Sequence, residues 1–272
     1  MVEEEIQENT VNNSNSNLEE DNIDIKLAKD SAKLTENSEV EEENIFVSII
    51  YALILALLIR SLLFESFHIP SGSMKPGLLE GDYIFVSKLK YGYCRYSFPF
   101  GLPTIKNRVF DFKKPQRGDV VVFKLPSDNK TNYIKRLIGL PGDKILVQNN
   151  ILYINGVEVP REYVGKYHDR REFWTSLVFE EKLANKNVKV LQKMEYDPMG
   201  DGYFVVPEGY YFFMGDNRDN SLDSRFKETG FVPYKNIIGE AKLIYFSKDD
   251  SFFKFWKWHK TLRFRRFFKK IV

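Results

Sequence analysis

One cysteine, Cys94, is all that this chain contains, so no disulfide can close within it and no cysteine cluster can hold a metal. Imidazole chemistry is limited to His68, His168 and His259. These lie far apart with none of the spacings of a ligand pair, and no metal or cofactor is expected. Aromatics are absent from residues 1–44, where fourteen acidic side chains face three lysines, a balance of −11 that leaves +13 for the rest. Such a stretch cannot bury enough apolar surface to offset its chain entropy. It reads as a disordered tail; the other reading is a docking segment for a basic partner. No internal repeat is visible, and helical periodicity nearly vanishes after residue 64.

What is present begins with twenty residues carrying one charge, Ile45–Phe64, IFVSIIYALILALLIRSLLF. As a helix this run would span roughly 30 Å, the thickness of a bilayer core. Arg60 lies near enough to its end to reach the interface. The long acidic stretch before it is unlike the short basic start of a cleaved leader. The run is apolar on all faces, which favours a transmembrane helix over a buried core helix. Lys and Arg lie mostly C-terminal to it, but large domains translocate largely regardless of charge, so the residues alone leave the sidedness open.

Beyond Phe64 the chain reads as short β-type runs. Asp82–Leu89, Asp119–Leu125, Asn132–Ile138, Lys144–Val147, Ile151–Ile154, Tyr203–Val206, Tyr210–Met214 and Glu240–Phe246 are rich in Val, Ile, Phe and Tyr. Asn149-Asn150 and Asn155-Gly156 carry turn chemistry. The pattern predicts a mostly β domain. Residues 161–202 are charged and read as an irregular, partly helical insertion between two β halves (65–160 and 203–250). Residues 252–272 hold eight Lys or Arg, eight Phe or Trp and no acid. This segment predicts contact with an anionic membrane surface. A solvated tail is the alternative, and nucleic acid is a more distant anion for a chain already anchored to a bilayer.

Three segments carry chemistry. In Pro70-Ser-Gly-Ser-Met74, Ser73 sits in a turn at most about 30 Å of extended chain from Phe64. A serine there is ordinarily only a turn former. A hydroxyl from Ser71 with the Ser73 backbone N–H could nevertheless form an oxyanion hole. In Tyr133-Ile-Lys-Arg-Leu-Ile-Gly-Leu-Pro-Gly-Asp143, Lys135 shares a strand face with Tyr133 and Leu137. Desolvation there would lower its pKa and make it a base; otherwise it is a lysine on a solvated face. At an ordinary pKa of about 10.4, only about one lysine in a thousand is neutral near pH 7.5. Arg136 faces the other way. The third segment, Gly215–Arg225, is a polar loop that could satisfy itself or could orient the amine. Serine activated by a neutral amine points to peptide-bond hydrolysis at a membrane surface.

Together these segments closely resemble the bacterial type I signal peptidases, membrane-bound serine endopeptidases with a Ser/Lys dyad, over roughly residues 45–158 and 203–246. The resemblance implies a mostly β, signal-peptidase/LexA-like catalytic domain. It would carry an inserted smaller cap region at 161–202 and follow one N-terminal transmembrane helix. It makes Ser73 the nucleophile, Lys135 the general base, Ser71 with the Ser73 amide the oxyanion hole, and Ser221 the group that orients Lys135. Arg136, Asp216, Asp223 and Arg225 would brace the site through ion pairs. The implied substrates are preprotein signal peptides cut after small residues (Ala-x-Ala sites). The implied place is the bacterial inner membrane, N-terminus cytoplasmic, catalytic domain on the periplasmic face, with lipid rather than nucleic acid as neighbour.

Two departures stand out: Pro76-Gly77-Leu78 where many members have Pro-Thr-Leu, and Lys75 where an uncharged residue is common. Lys75 puts a second amine near Ser73, but adjacent in sequence and exposed on a turn it would be a poor base. Two rival readings are a Ser-His-Asp hydrolase using His68, and a non-enzymatic anchored β scaffold. Self-cleaving Ser/Lys repressors share the dyad but lack the transmembrane run.

Overall fold

A computed structural model describes residues 45–57, 63–97, 108–169, 171–195, 197–249 and 261–272. The chain divides into two units, Met1–Leu58 and Ile59–Val272. The described part of the first is a helix, α1 (residues 45–57), whose side chains are exposed all round. The acidic segment 1–44 lies outside the described residues. No helix among the described residues is long and apolar enough to cross a membrane.

The second unit opens with β1 (Phe64–His68), so the expectation of helix through Phe64 is corrected. In FESFH, Phe64, Ser66 and His68 are exposed while Glu65 and Phe67 are half-buried. That alternation suits a strand, and Phe64 pairs with Ser87 of β2 (Asp82–Ser87). β3 (Val120–Lys124) and β4 (Asn132–Gly139) follow, then a run of hairpins: β5 (Lys144–Gln148), β6 (Ile151–Ile154) and β7 (Val157–Glu158). Asn149 and Asn150 turn β5 into β6 with φ of 53° and 62°, and Asn155-Gly156 turn β6 into β7 with 54° and 82°. Asn and Gly tolerate this left-handed region best, as the turn chemistry predicted.

Next come β8 (Arg161–His168), β9 (Thr175–Leu183) and β10 (Lys186–Lys193), and then β11 (Gly202–Val205), β12 (Tyr210–Met214), β13 (Val232–Pro233), β14 (Ile237–Ser247) and β15 (Lys269–Lys270). Among the described residues they form three sheets. The largest runs β1-β2-β14-β3-β4-β12-β13, with β15 added to β14; β11-β5-β6-β7 and β10-β9-β8 make the others. β3 is central to the large sheet and feeds two cores. Val120 and Val122 pack with Ile84, Val86 and Ile244, while Val121 and Phe123 pack with Leu137, Phe213 and Ile237. Each such buried side chain contributes about 1.5–3 kcal/mol. A third core joins Ile138 and Phe212 to Ile145, Leu183 and Val188 of the smaller sheets.

One more expectation needs correction. Residues 161–193 are a regular antiparallel sheet, β8-β9-β10, neither irregular nor helical. In β10, Val188 and Val190 are buried while Asn187 and Lys189 beside them are exposed, so charge masked a short period of two. Residues 261–272 dock on the protein, with Phe264 and Phe268 left exposed. β15 pairs with β14, the Ile271 N–H donates to Lys242 O at 2.9 Å, and Arg266 binds Asp82. Residues 252–260 lie outside the described residues.

Candidate active site

Three stretches of backbone, the turn after β1, strand β4 and the segment after β12, meet. The turn after β1 is anchored by buried Ile69, Met74 and Leu78, and closed by Lys75 N–H to Gly72 O (3.1 Å) and Leu78 N–H to Met74 O (2.9 Å). β4 runs antiparallel to β3, with Lys135 opposite Val121. β12 places Met214 opposite Arg136, so the chain from Gly215 onward emerges beside both basic residues. There the Asn217 N–H donates to Ser73 O at 3.0 Å and its side-chain amide to Gly72 O at 3.2 Å. A methyl group on Gly215 would stand 2.2 Å from Ser221 Oγ and 2.6 Å from Ser73 O, so only glycine permits this approach.

Lys135 Nζ donates to Ser73 Oγ at 2.5 Å, and both residues are buried, 5% and 7% exposed. The ammonium stem lies against the Tyr133 ring, with Nζ 5.4 Å from its centroid. Burial drives the Lys135 pKa down and Arg225 adds to this, against the pull of Asp223 and Asp216, and the result is about 8. A substantial share of this amine is therefore neutral near neutrality, and a neutral amine in contact with a hydroxyl can take its proton. Ser71, exposed, holds its Oγ 3.4 Å from Ser73 Oγ.

The charged groups around this contact are paired. Arg136 grips Asp216 through Nε–Oδ1 and Nη2–Oδ2, each 2.7 Å, and also donates to Gly118 O and Val272 O. Asp223 is fully buried and accepts from Arg225 Nε (2.8 Å), Arg225 Nη2 (2.9 Å) and the Gly215 N–H (2.9 Å). Burial would raise its pKa, but Arg225, that N–H and the Ser221 hydroxyl hold it below the usual carboxylate range. Ser221 Oγ completes no hydrogen bond of ordinary geometry, and none to Lys135. Histidine is not part of this cluster: His68 is exposed on β1, with its ring 4.9 Å from Tyr83. His259 lies outside the described residues. Among the described residues no group of three or more His, Cys, Asp or Glu could hold a metal ion.

Sequence reasoning passed over Asn217, which ties the Ser73 turn to the Gly215 segment, although it stands within Gly215–Arg225. It also misjudged Lys75, which is 2% exposed rather than solvated. Its ammonium is held by Asp169 and Glu172, residues almost a hundred positions away in the sequence, so no local signal could have revealed it.

A family model described as signal peptidase, peptidase S26, matches residues 42–246. Signal peptidase I of Rickettsia typhi is 42% identical over 258 residues, 86% of this chain and 95% of that protein. That of Rickettsia akari is 43% identical over 231 residues, 81% of this chain and 85% of that protein. A solved signal peptidase I from Enterococcus faecalis V583 is 32% identical and matches 47% of this chain and 97% of its own, with a TM-score of 0.29, too low to bear on the fold. The family match over most of the chain, at these identities, makes the chain a serine endopeptidase belonging to the signal peptidase family S26.

Proposed function

We propose that this protein removes signal peptides from exported preproteins at Ala-x-Ala sites through a Ser73/Lys135 dyad. The observation that carries the reading is the 2.5 Å contact between a buried, pKa-depressed Lys135 amine and the Ser73 hydroxyl. Neutral Lys135 takes the Ser73 Oγ proton as Oγ bonds to the scissile carbonyl carbon. The Ser71 hydroxyl and the Ser73 N–H receive the oxyanion. As the tetrahedral species collapses, the C–N bond breaks and Lys135 Nζ returns its proton to the leaving amine. Water then attacks the acyl-enzyme, losing a proton to Lys135, and Ser73 Oγ leaves with that proton. Ser221, its hydroxyl buried beside Asp223, orients the Lys135 amine once Ser73 Oγ turns to the substrate. The Arg136–Asp216 and Arg225–Asp223 pairs brace the walls. The substrate lies extended against a strand edge.

The apolar run starting at Ile45 anchors the enzyme in the bacterial inner membrane, N-terminus cytoplasmic and β domain periplasmic. α1, apolar and exposed all round, lies within this run. Residues 252–272, with eight Lys or Arg and eight Phe or Trp, touch anionic lipid.

The test is cleavage of a preprotein bearing Ala-x-Ala by the purified full chain in detergent. Ser73→Ala and Lys135→Ala should abolish cleavage, and His68→Ala should keep most of it. Loss with His68→Ala but not with Lys135→Ala would replace the dyad with a histidine mechanism.

A further inference from the structure

Lys75 lies two residues past Ser73, yet the mechanism does not use it. Its ammonium is 2.7 Å from Asp169 Oδ2, 2.8 Å from Glu172 Oε1 and 3.6 Å from Glu80 Oε1. Asp169 and Glu172 belong to the loop between β8 and β9, so the contact crosses from the nucleophile turn to the inserted sheet. The side chain passes directly over the residue between Ser71 and Ser73. A methyl at Gly72 would stand 2.7 Å from Lys75 Cε and 3.0 Å from Nζ. Burial works against the charge, but the hydrogen bonds to Asp169 and Glu172 more than offset it and hold the pKa above that of an ordinary lysine. Lys75 is thus a fixed cation and not a second base.

The same sheet grips the other half of the site. Arg218 makes a buried two-pronged ion pair with Glu181 of β9, Nη1 to Oε1 at 2.6 Å and Nη2 to Oε2. Leu191 of β10 bridges to Asn217, with its N–H donating to Asp216 O at 2.8 Å while its O accepts from the Arg218 N–H at 2.9 Å. Asn217 in turn holds Gly72 O and Ser73 O. The inserted sheet therefore touches the serine turn at one end and the Asp216–Arg218 backbone at the other.

We infer that the inserted β8-β9-β10 sheet is the frame that sets the catalytic geometry, and that Lys75 is the positioning residue through which it holds Ser73 against Lys135. This inference rests on the dyad reading above.

Its test uses the full chain in detergent micelles with a preprotein substrate. Lys75→Met should lower kcat between about 10- and 100-fold with KM changed less than about twofold, since a misplacement of about 1 Å costs on the order of 100-fold. Lys75→Arg should recover most of that loss. Asp169→Asn/Glu172→Gln should fall as Lys75→Met does, and combining the two should cost less than about twofold more, because they break one contact. A kcat within about twofold of wild type for Lys75→Met, or full additivity, overturns the inference. Should Lys75→Met fail to fold, Asp169→Asn alone carries the same kcat criterion.

Amide hydrogen exchange supplies a readout that needs no turnover. In a Ser73→Ala background, Lys75→Met should speed exchange at residues 71–78 and in the β8–β9 loop; unchanged exchange overturns the frame. Cleavage surviving in Ser73→Ala would sink the dyad while leaving the exchange result to judge the frame.

Discussion

Replacing Lys135 by methionine should abolish cleavage and yet stabilise the folded protein at pH 7. An ordinary lysine titrates at 10.5, whereas Lys135 in its site titrates at about 8. Between those values the unfolded chain carries a proton that the folded protein has released, so folded stability rises with pH across that window. Below pH 8 both states are charged and the fold bears the whole difference, about 3 kcal/mol. Methionine keeps the stem's packing and removes that burden. It also removes the hydrogen bond to Ser73, a loss of about 1 kcal/mol. The net gain of about 2 kcal/mol should raise the melting temperature by about 4–8 °C at pH 7 for a domain of this size. The advantage should shrink above pH 8 and be gone by about pH 10.5. The same titration governs activity: the neutral fraction rises about tenfold from pH 6 to pH 7 and levels above pH 8, and kcat/KM should follow it. Thermal melts of both proteins at several pH values, with a pH–rate profile of wild type, check this. A variant that melts below wild type at pH 7, or a difference that stays flat between pH 7 and pH 10, would refute the reasoning.

Ser71→Ala should lower kcat by about 100-fold or more with little change in KM, measured on the same preprotein, because the proposed oxyanion hole would lose one donor. Arg136→Met leaves Asp216, 1% exposed, charged without its two-pronged partner. It should destabilise the fold by about 3–5 kcal/mol in denaturant melts, and Asp216→Leu added to it should recover most of the loss.

Much of this protein was legible as residues. The eight runs of Val, Ile, Phe and Tyr read as strands all fell on strands, and Tyr210–Met214 matched to the residue. The Asn149-Asn150 and Asn155-Gly156 turns were readable because their conformations are local properties of Asn and Gly. What failed depended on partners. The inserted sheet was hidden because its period of two runs through lysines and glutamates, one of them, Glu181, buried against Arg218. The docking of the basic end was equally hidden, since Arg266 finds Asp82 and β15 finds β14 only in the folded chain.

The order and chemistry of the three motifs, with Ser73, Lys135 and the polar segment around Asp216, were determined by the sequence alone, since motif identity needs no coordinates. The tertiary structure decided what surrounds each lysine near the serine turn. Lys135 and Lys75 are equally buried by eye, one beside a hydroxyl and one among carboxylates, and their proton affinities move in opposite directions. A pKa is set by the charges and water that the fold brings within a few ångströms, and those neighbours come from distant parts of the chain.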